Sequence, residues 1–227
     1  MDETSRSDTG SWRELAVARS LDPARLRAER RVQRFLDAAM ELLSSNPGNE
    51  LTVQEVVARS GQSLRSFYQY FAGKHELLLA LLEEAVRTTA EELRAAGEGE
   101  PDTFARLHRF VVDYYEVCRP GEASAWSSAA SIQAMGEFAQ QLFTEHPREA
   151  ARAFVPLVQL FDDLLDDAVA AGVIRAEISR DRLAGVVLQA IMFNTFTAII
   201  SGIPWGPGSA DADGLWDLLI HGIGTTP

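Results

Sequence analysis

The chain has 227 residues, 46% of them hydrophobic and 24% charged, with Cys118 as its one cysteine. An apolar fraction of this size offsets chain entropy and excludes a disordered protein, while one cysteine excludes a disulfide scaffold and fits a reducing cytoplasm. The net charge of -12 is uneven, at -2 over residues 1–23, +3 over 24–75 and -13 over 76–227.

A basic segment on an acidic body suits a small nucleic-acid-contacting module, because affinity for phosphates depends on the local patch. Charge alone does not separate this reading from chance clustering. Residues 1–22 are polar and weakly patterned and are expected to form an N-terminal extension, mobile in part. They contain no apolar run after the charges, so no secretory signal is expected and the chain is assigned to the cytoplasm.

Asp22-Pro23 has the form of an N-cap with proline at the first helical position. Leu26, Val32, Phe35, Leu36, Ala39, Met40, Leu42 and Leu43 then recur at helical spacing, and Asn46-Pro47-Gly48-Asn49 is the expected stop. Thr52-Val53-Gln54-Glu55 reads as a capping box that opens a short helix to about Arg59. Gly61 supplies a turn, Ser63 caps a second short helix through about Tyr70, and Ala72-Gly73 precedes a longer helix from Lys74 to about Ala96.

Further helices are expected at about 102–118, 124–145, 148–171, 180–201 and 213–221, with Pro156 breaking or kinking the third of these. No period-two alternation of strand length is present outside these patterns, so the fold class is all-α. Leu183 to Ala210 carries no charge, which tempts a transmembrane assignment. Gln189, Asn194, Thr195, Thr197 and Ser201 would each need a partner in hydrocarbon, so the stretch reads as a buried helix or an oligomer contact, with no membrane partner.

Residues 52–77 hold two short helices about Gly61. Val53, Val56 and Val57 on the first and Leu64, Phe67 and Phe71 on the second supply the apolar packing that fixes their crossing angle. Held in this way, the second helix can enter a major groove with Arg65, Ser66, Gln69 and Tyr70 outward. Arginine pairs with guanine O6 and N7, glutamine with adenine N6 and N7, and serine or tyrosine with base or phosphate.

Gly61, Ser63, Tyr68-Gln69-Tyr70-Phe71 and Lys74 stand in register as the signature of a known family. Over about residues 30–80 the chain resembles the TetR family of one-component transcription regulators. The resemblance implies an N-terminal helix-turn-helix three-helix domain (residues 23–75) followed by a larger helical ligand-binding and dimerisation domain (residues 76–227). It implies that Tyr68, Lys74 and Thr52 contact phosphates while Arg65, Ser66, Gln69 and Tyr70 face the bases of double-stranded operator DNA. Packing of Tyr68 and Tyr70 on the small core is the alternative for those two. Val57, Gln62 and Leu64 depart from the usual pattern at the helix crossing, the turn and the start of the second helix.

The resemblance further implies an apolar pocket in each subunit and a homodimer built from the last two long helices. Tyr114, Tyr115, Trp126, Met135, Phe138, Phe161, Met192, Phe193 and Asn194 are the pocket candidates, and Leu215, Trp216, Leu218, Leu219, Ile220 and Ile223 add apolar surface near the C-terminus. With no basic cluster among the candidates, the expected effector is a small hydrophobic molecule that releases a repressor from DNA. No cofactor is expected.

Asp162-Asp163-Leu164-Leu165-Asp166-Asp167 also resembles the magnesium-binding motif of isoprenoid synthases, which would make the chain an all-α enzyme. The competing assignment is a solvated acidic face with Phe161, Leu164, Leu165 and Ala168 turned inward. A ligand-binding adaptor without DNA binding is a third class. His75, His108, His146 and His221 are scattered without metal-ligand spacing, so no metal site and no catalytic residue is assigned.

Overall fold

A computed structural model of the chain describes residues 12–45, 51–118, 134–174, 180–201 and 212–223. Every regular element among the described residues is helical. In chain order these are α1 (Trp12–Ser45), α2 (Val53–Ser60), α3 (Leu64–Phe67), α4 (Lys74–Gly97) and α5 (Thr103–Cys118), then α6 (Gly136–Glu145), α7 (Pro147–Ala153), α8 (Val155–Ala170), α9 (Arg180–Ser201) and α10 (Ala212–Ile223). The expected stop at 46–49, the first part of the helix expected at 124–145, and the loop at 202–208 lie outside the described residues.

The start of α1 corrects one expectation. Asp22-Pro23 does not open the helix, because α1 begins at Trp12 and carries Pro23 inside it. A proline ring removes one amide donor whether it stands at a helix start or within one, so the local signal is the same in both places. On the C-terminal side the helix holds, and Arg27 Nε donates to the Pro23 carbonyl at 2.9 Å.

The caps follow local chemistry. Gly61 ends α2 at φ 65°, a left-handed conformation that favours glycine, and its amide donates to the Ala58 carbonyl. Ser63 caps α3, its Oγ accepting from the Ser66 amide at 3.1 Å. Pro156 falls at the start of α8, where its missing amide costs no helical bond, and the break from α7 occurs at Phe154.

Helices α1, α2 and α3 form a small head, and α4 runs from it into the body, packing on α1 near one end and on α5, α7 and α8 along the rest. In the body, α8 and α9 pack on each other and on α5, and α10 lies against α5. The acidic run on α8 sorts by face. Phe161, Leu165 and Ala168 are buried and Leu164 half-buried, whereas Asp163, Asp166 and Asp167 are exposed and Asp162 is half-buried. No helix among the described residues is long and apolar enough to cross a membrane.

Candidate nucleic-acid interface

Three phenylalanines build the head. Phe35 of α1 meets Phe67 edge-on at 5.4 Å and Phe71 at 6.2 Å, and the Phe67 and Phe71 rings lie 5.3 Å apart. Phe35, Phe67 and Val56 are fully buried, while Val53 and Val57 are half-buried against the same core. Leu64 is 43% exposed, so it does not fill the core and is open to an apolar contact such as a thymine methyl. The turn is tied to α1, since Gln62 Nε2 donates to the Arg31 carbonyl at 3.2 Å and Arg59 of α2 pairs with Glu41. That bond accounts for a polar residue at position 62.

On this platform Arg65, Tyr68 and Gln69 are exposed, Tyr68 at 56% with its ring edge-on to Phe67. After α3 the chain keeps helical hydrogen bonds as far as Phe71, whose amide donates to the Phe67 carbonyl at 3.0 Å, so the helical segment extends past the short helix itself. Tyr70 is half-buried against the core. The Ser66 hydroxyl is buried and has no hydrogen-bond partner, so it is turned away from the surface that Arg65 and Gln69 present. Lys74 is half-buried in the first turn of α4, close in sequence to this segment.

Thr52 is engaged otherwise. Its hydroxyl accepts from the Glu55 amide at 3.3 Å and donates to Glu55 Oε2 at 2.6 Å, and its own amide donates to the same oxygen at 3.0 Å. These bonds hold the Glu55 carboxyl below its usual range. A phosphate approaching Thr52 would meet a carboxylate that already takes both donors, which argues for a capping role at this position.

In the body, a small apolar cavity is lined by Leu82, Val86 and Thr89 of α4, Tyr114 and Cys118 of α5, Ala139, Phe154, Leu157 and Met192. Of the sequence candidates, Tyr114 and Met192 lie in this lining. Tyr115 and Met135 are buried outside it, Phe161 stacks on Phe110 at 4.7 Å, Phe138 packs against His75, and Phe193 is 37% exposed. Trp126 and the side chain of Asn194 lie outside the described residues. Burial, and then the Cys118 thiol beside it, push the Tyr114 phenol well above its usual pKa, so it is a neutral donor. The Thr89 hydroxyl donates to the Ala85 carbonyl at 2.9 Å. Leu82, Val86 and Thr89 escaped the sequence reading because they look like any core stripe of a long helix.

Residues 35–81 match the family model described as bacterial regulatory proteins, tetR family. Over these residues the chain carries an N-terminal domain of the tetR type. It is 25% identical over 75 residues to the uncharacterized HTH-type transcriptional regulator YvdT of Bacillus subtilis, a match covering 33% of this chain and 39% of that relative's length. In fold it is similar to a TetR-family transcriptional regulator of Pectobacterium atrosepticum, with a TM-score of 0.65 and 18% identity over 89% of this chain and 98% of that one. It is also similar to the regulator FadR of Bacillus subtilis in complex with stearoyl-CoA, with a TM-score of 0.63 and 15% identity over 84% and 98% of the two chains.

Proposed function

We propose that this chain is a cytoplasmic transcriptional repressor of the TetR family that binds a pseudo-palindromic operator as a homodimer and is released by a small hydrophobic effector. Residues 23–75 would form the DNA-binding domain and residues 76–227 the ligand-binding and dimerisation domain. The carrying observation is the exposure of Arg65, Tyr68 and Gln69 on a segment locked from beneath by Phe35, Phe67 and Phe71. Arg65 and Gln69 read base edges, and Tyr68 and Lys74 hold phosphates.

Dimerisation is supported by the outer face of the two C-terminal helices. Val186, Ala190 and Phe193 recur at helical spacing on the exposed side of α9, with Val186 63% exposed, and Leu218 of α10 is 72% exposed. Apolar side chains in this order would be covered by the same face of a second copy. A single head reads too few base pairs for useful specificity, which two heads one helical turn apart would supply.

The cavity supports the effector. Among the described residues its lining carries no charged side chain, and its few polar groups, Tyr114, Thr89 and Cys118, suit a mostly apolar molecule with one or two polar atoms. The FadR neighbour is in complex with stearoyl-CoA, a molecule with a long apolar part. An occupant that widens this narrow cavity displaces Leu82, Val86 and Thr89, and so α4, whose first residue is Lys74. Differential affinity of about 5.5 kcal/mol would move such a two-state equilibrium from 1:99 to 99:1.

Genomic fragments retained by the purified chain, sequenced after washing at low and moderate salt, test the reading, with sedimentation to give the oligomeric state. A dimer enriching a two-fold related sequence is expected. A monomer that retains no fragment even at low ionic strength overturns it.

A further inference from the structure

The fold brings together two histidines that are 71 positions apart in the chain. The rings of His75, in the first turn of α4, and His146, between α6 and α7, lie with centroids 4.8 Å apart. Glu149 Oε2 is 2.6 Å from His75 Nε2, and one donor atom from each of the three residues falls within 4.8 Å of the others. We propose that His75, His146 and Glu149 form a binding site for one divalent transition-metal cation, with zinc as the best-matched ion.

Local structure presents all three groups to one point. His146 ends α6 and precedes Pro147, and its carbonyl accepts from the amides of Glu149 at 3.0 Å and Ala150 at 3.1 Å. Residues three apart around such a start share a face, which sets the imidazole and the carboxylate side by side. The edge of Phe138 against His75, with centroids 5.6 Å apart, limits rotation of that ring.

Two imidazoles and one carboxylate are a donor set for zinc, which leaves a fourth position to water. Metal–ligand bonds of about 2.0–2.2 Å place tetrahedral donors roughly 3.3 Å apart. The present spacings straddle that value, from 2.6 Å to at most 4.8 Å. The cation takes the place of the hydrogen shared by His75 and Glu149, which leaves to solvent, and the exposed His146 ring turns inward. Since the His75 and Glu149 side chains are 42% and 38% exposed, the ion has an entry path and can exchange.

The position gives the site a consequence that rests on the regulator reading. His75 adjoins Lys74, and a second link between the same two helices, Arg152 Nε to Glu83 Oε1 at 3.2 Å, lies two turns further along α4. A bound cation would fasten the head end of α4 to α7.

The full chain, freed of any affinity tag, is titrated with zinc against a chromophoric chelator and with cobalt by visible absorption, with no DNA present. One ion per chain and a cobalt spectrum of low coordination number are expected. His146→Asn and Glu149→Gln should each weaken affinity by at least about tenfold, and zinc should raise the melting temperature of the parent chain but not of either variant. Both changes are at partly exposed positions, and metal-free melting curves matching the parent confirm that the variants fold. Absence of binding, or binding unchanged in both variants, overturns the site. Zinc bound by a chain that ignores DNA would defeat the regulator reading alone, and operator binding by a chain that takes up no zinc would defeat the metal site alone.

Discussion

The core of the head rests largely on Phe35, Phe67 and Phe71, whereas the body spreads its apolar contacts over α4, α5, α8 and α9. The difference bears on where each part is vulnerable. A head with so few large buried groups depends on each of them and keeps its exposed polar residues as a rigid face. The body has a broader core, with a narrow cavity at the meeting of several helices, and can repack around an occupant.

Removing one ring from the head and one side chain from the cavity wall should separate the two parts most directly. Phe67→Ala should cost about 3–5 kcal/mol, enough to unfold a small three-helix unit while α5, α8 and α9 stay folded. Thermal unfolding by circular dichroism should then show the low-temperature loss of a minor helical fraction, with DNA retention abolished. Leu157→Ala, at a fully buried position in the cavity lining, should cost about 2–5 kcal/mol and leave DNA retention intact at temperatures where the chain is folded. A single cooperative melt shared by both variants would show that head and body fold as one unit.

The body also carries an exposed apolar stripe, for which the head has no need if two copies pair through the body. Val186→Asp combined with Leu218→Asp places charge on side chains 63% and 72% exposed in the single chain, so the monomer fold should be unaffected. If that face is the dimer contact, the pair should weaken association by at least about 2 kcal/mol, as central interface positions do. Sedimentation equilibrium at several concentrations reads this directly, and an unchanged dimer constant would move the interface elsewhere.

The head was more legible in the sequence than the body, for a physical reason. Gly61, Ser63 and Thr52 act through hydrogen bonds within a few residues of themselves, so their roles are encoded locally. Side-chain direction in a helix as short as α3 depends on how Phe67 seats against Phe35, and this turns the Ser66 hydroxyl inward where the sequence pattern set it outward. Cavity and metal-ligand candidates depend on contacts between distant helices. Thr89 meets Tyr114 and Met192 only once α4, α5 and α9 are packed, and His75 meets His146 only across α4 and α7.

If the head binds DNA as proposed, single side chains should separate base reading from phosphate holding. Arg65→Ala should cost roughly 1–3 kcal/mol and relax preference at one base pair. Binding measured across a set of operator variants tests this, and an unaltered preference profile would remove Arg65 from the reading face.

Lys74 and Thr52 both stand near helix starts, and Glu55 already holds both donors of Thr52. Lys74→Ala should weaken binding to every sequence alike and make the dependence of log affinity on log salt shallower by about one unit, since one fewer counterion is released per head. Thr52→Ala removes the hydroxyl that caps α2 and should cost about 1 kcal/mol of stability, seen as a lower melting temperature. Its salt slope should equal that of the parent, because both Thr52 donors are already held by Glu55. A slope reduced as much by Thr52→Ala as by Lys74→Ala would mean that Glu55 swings away on binding and that the capping box opens to admit a phosphate.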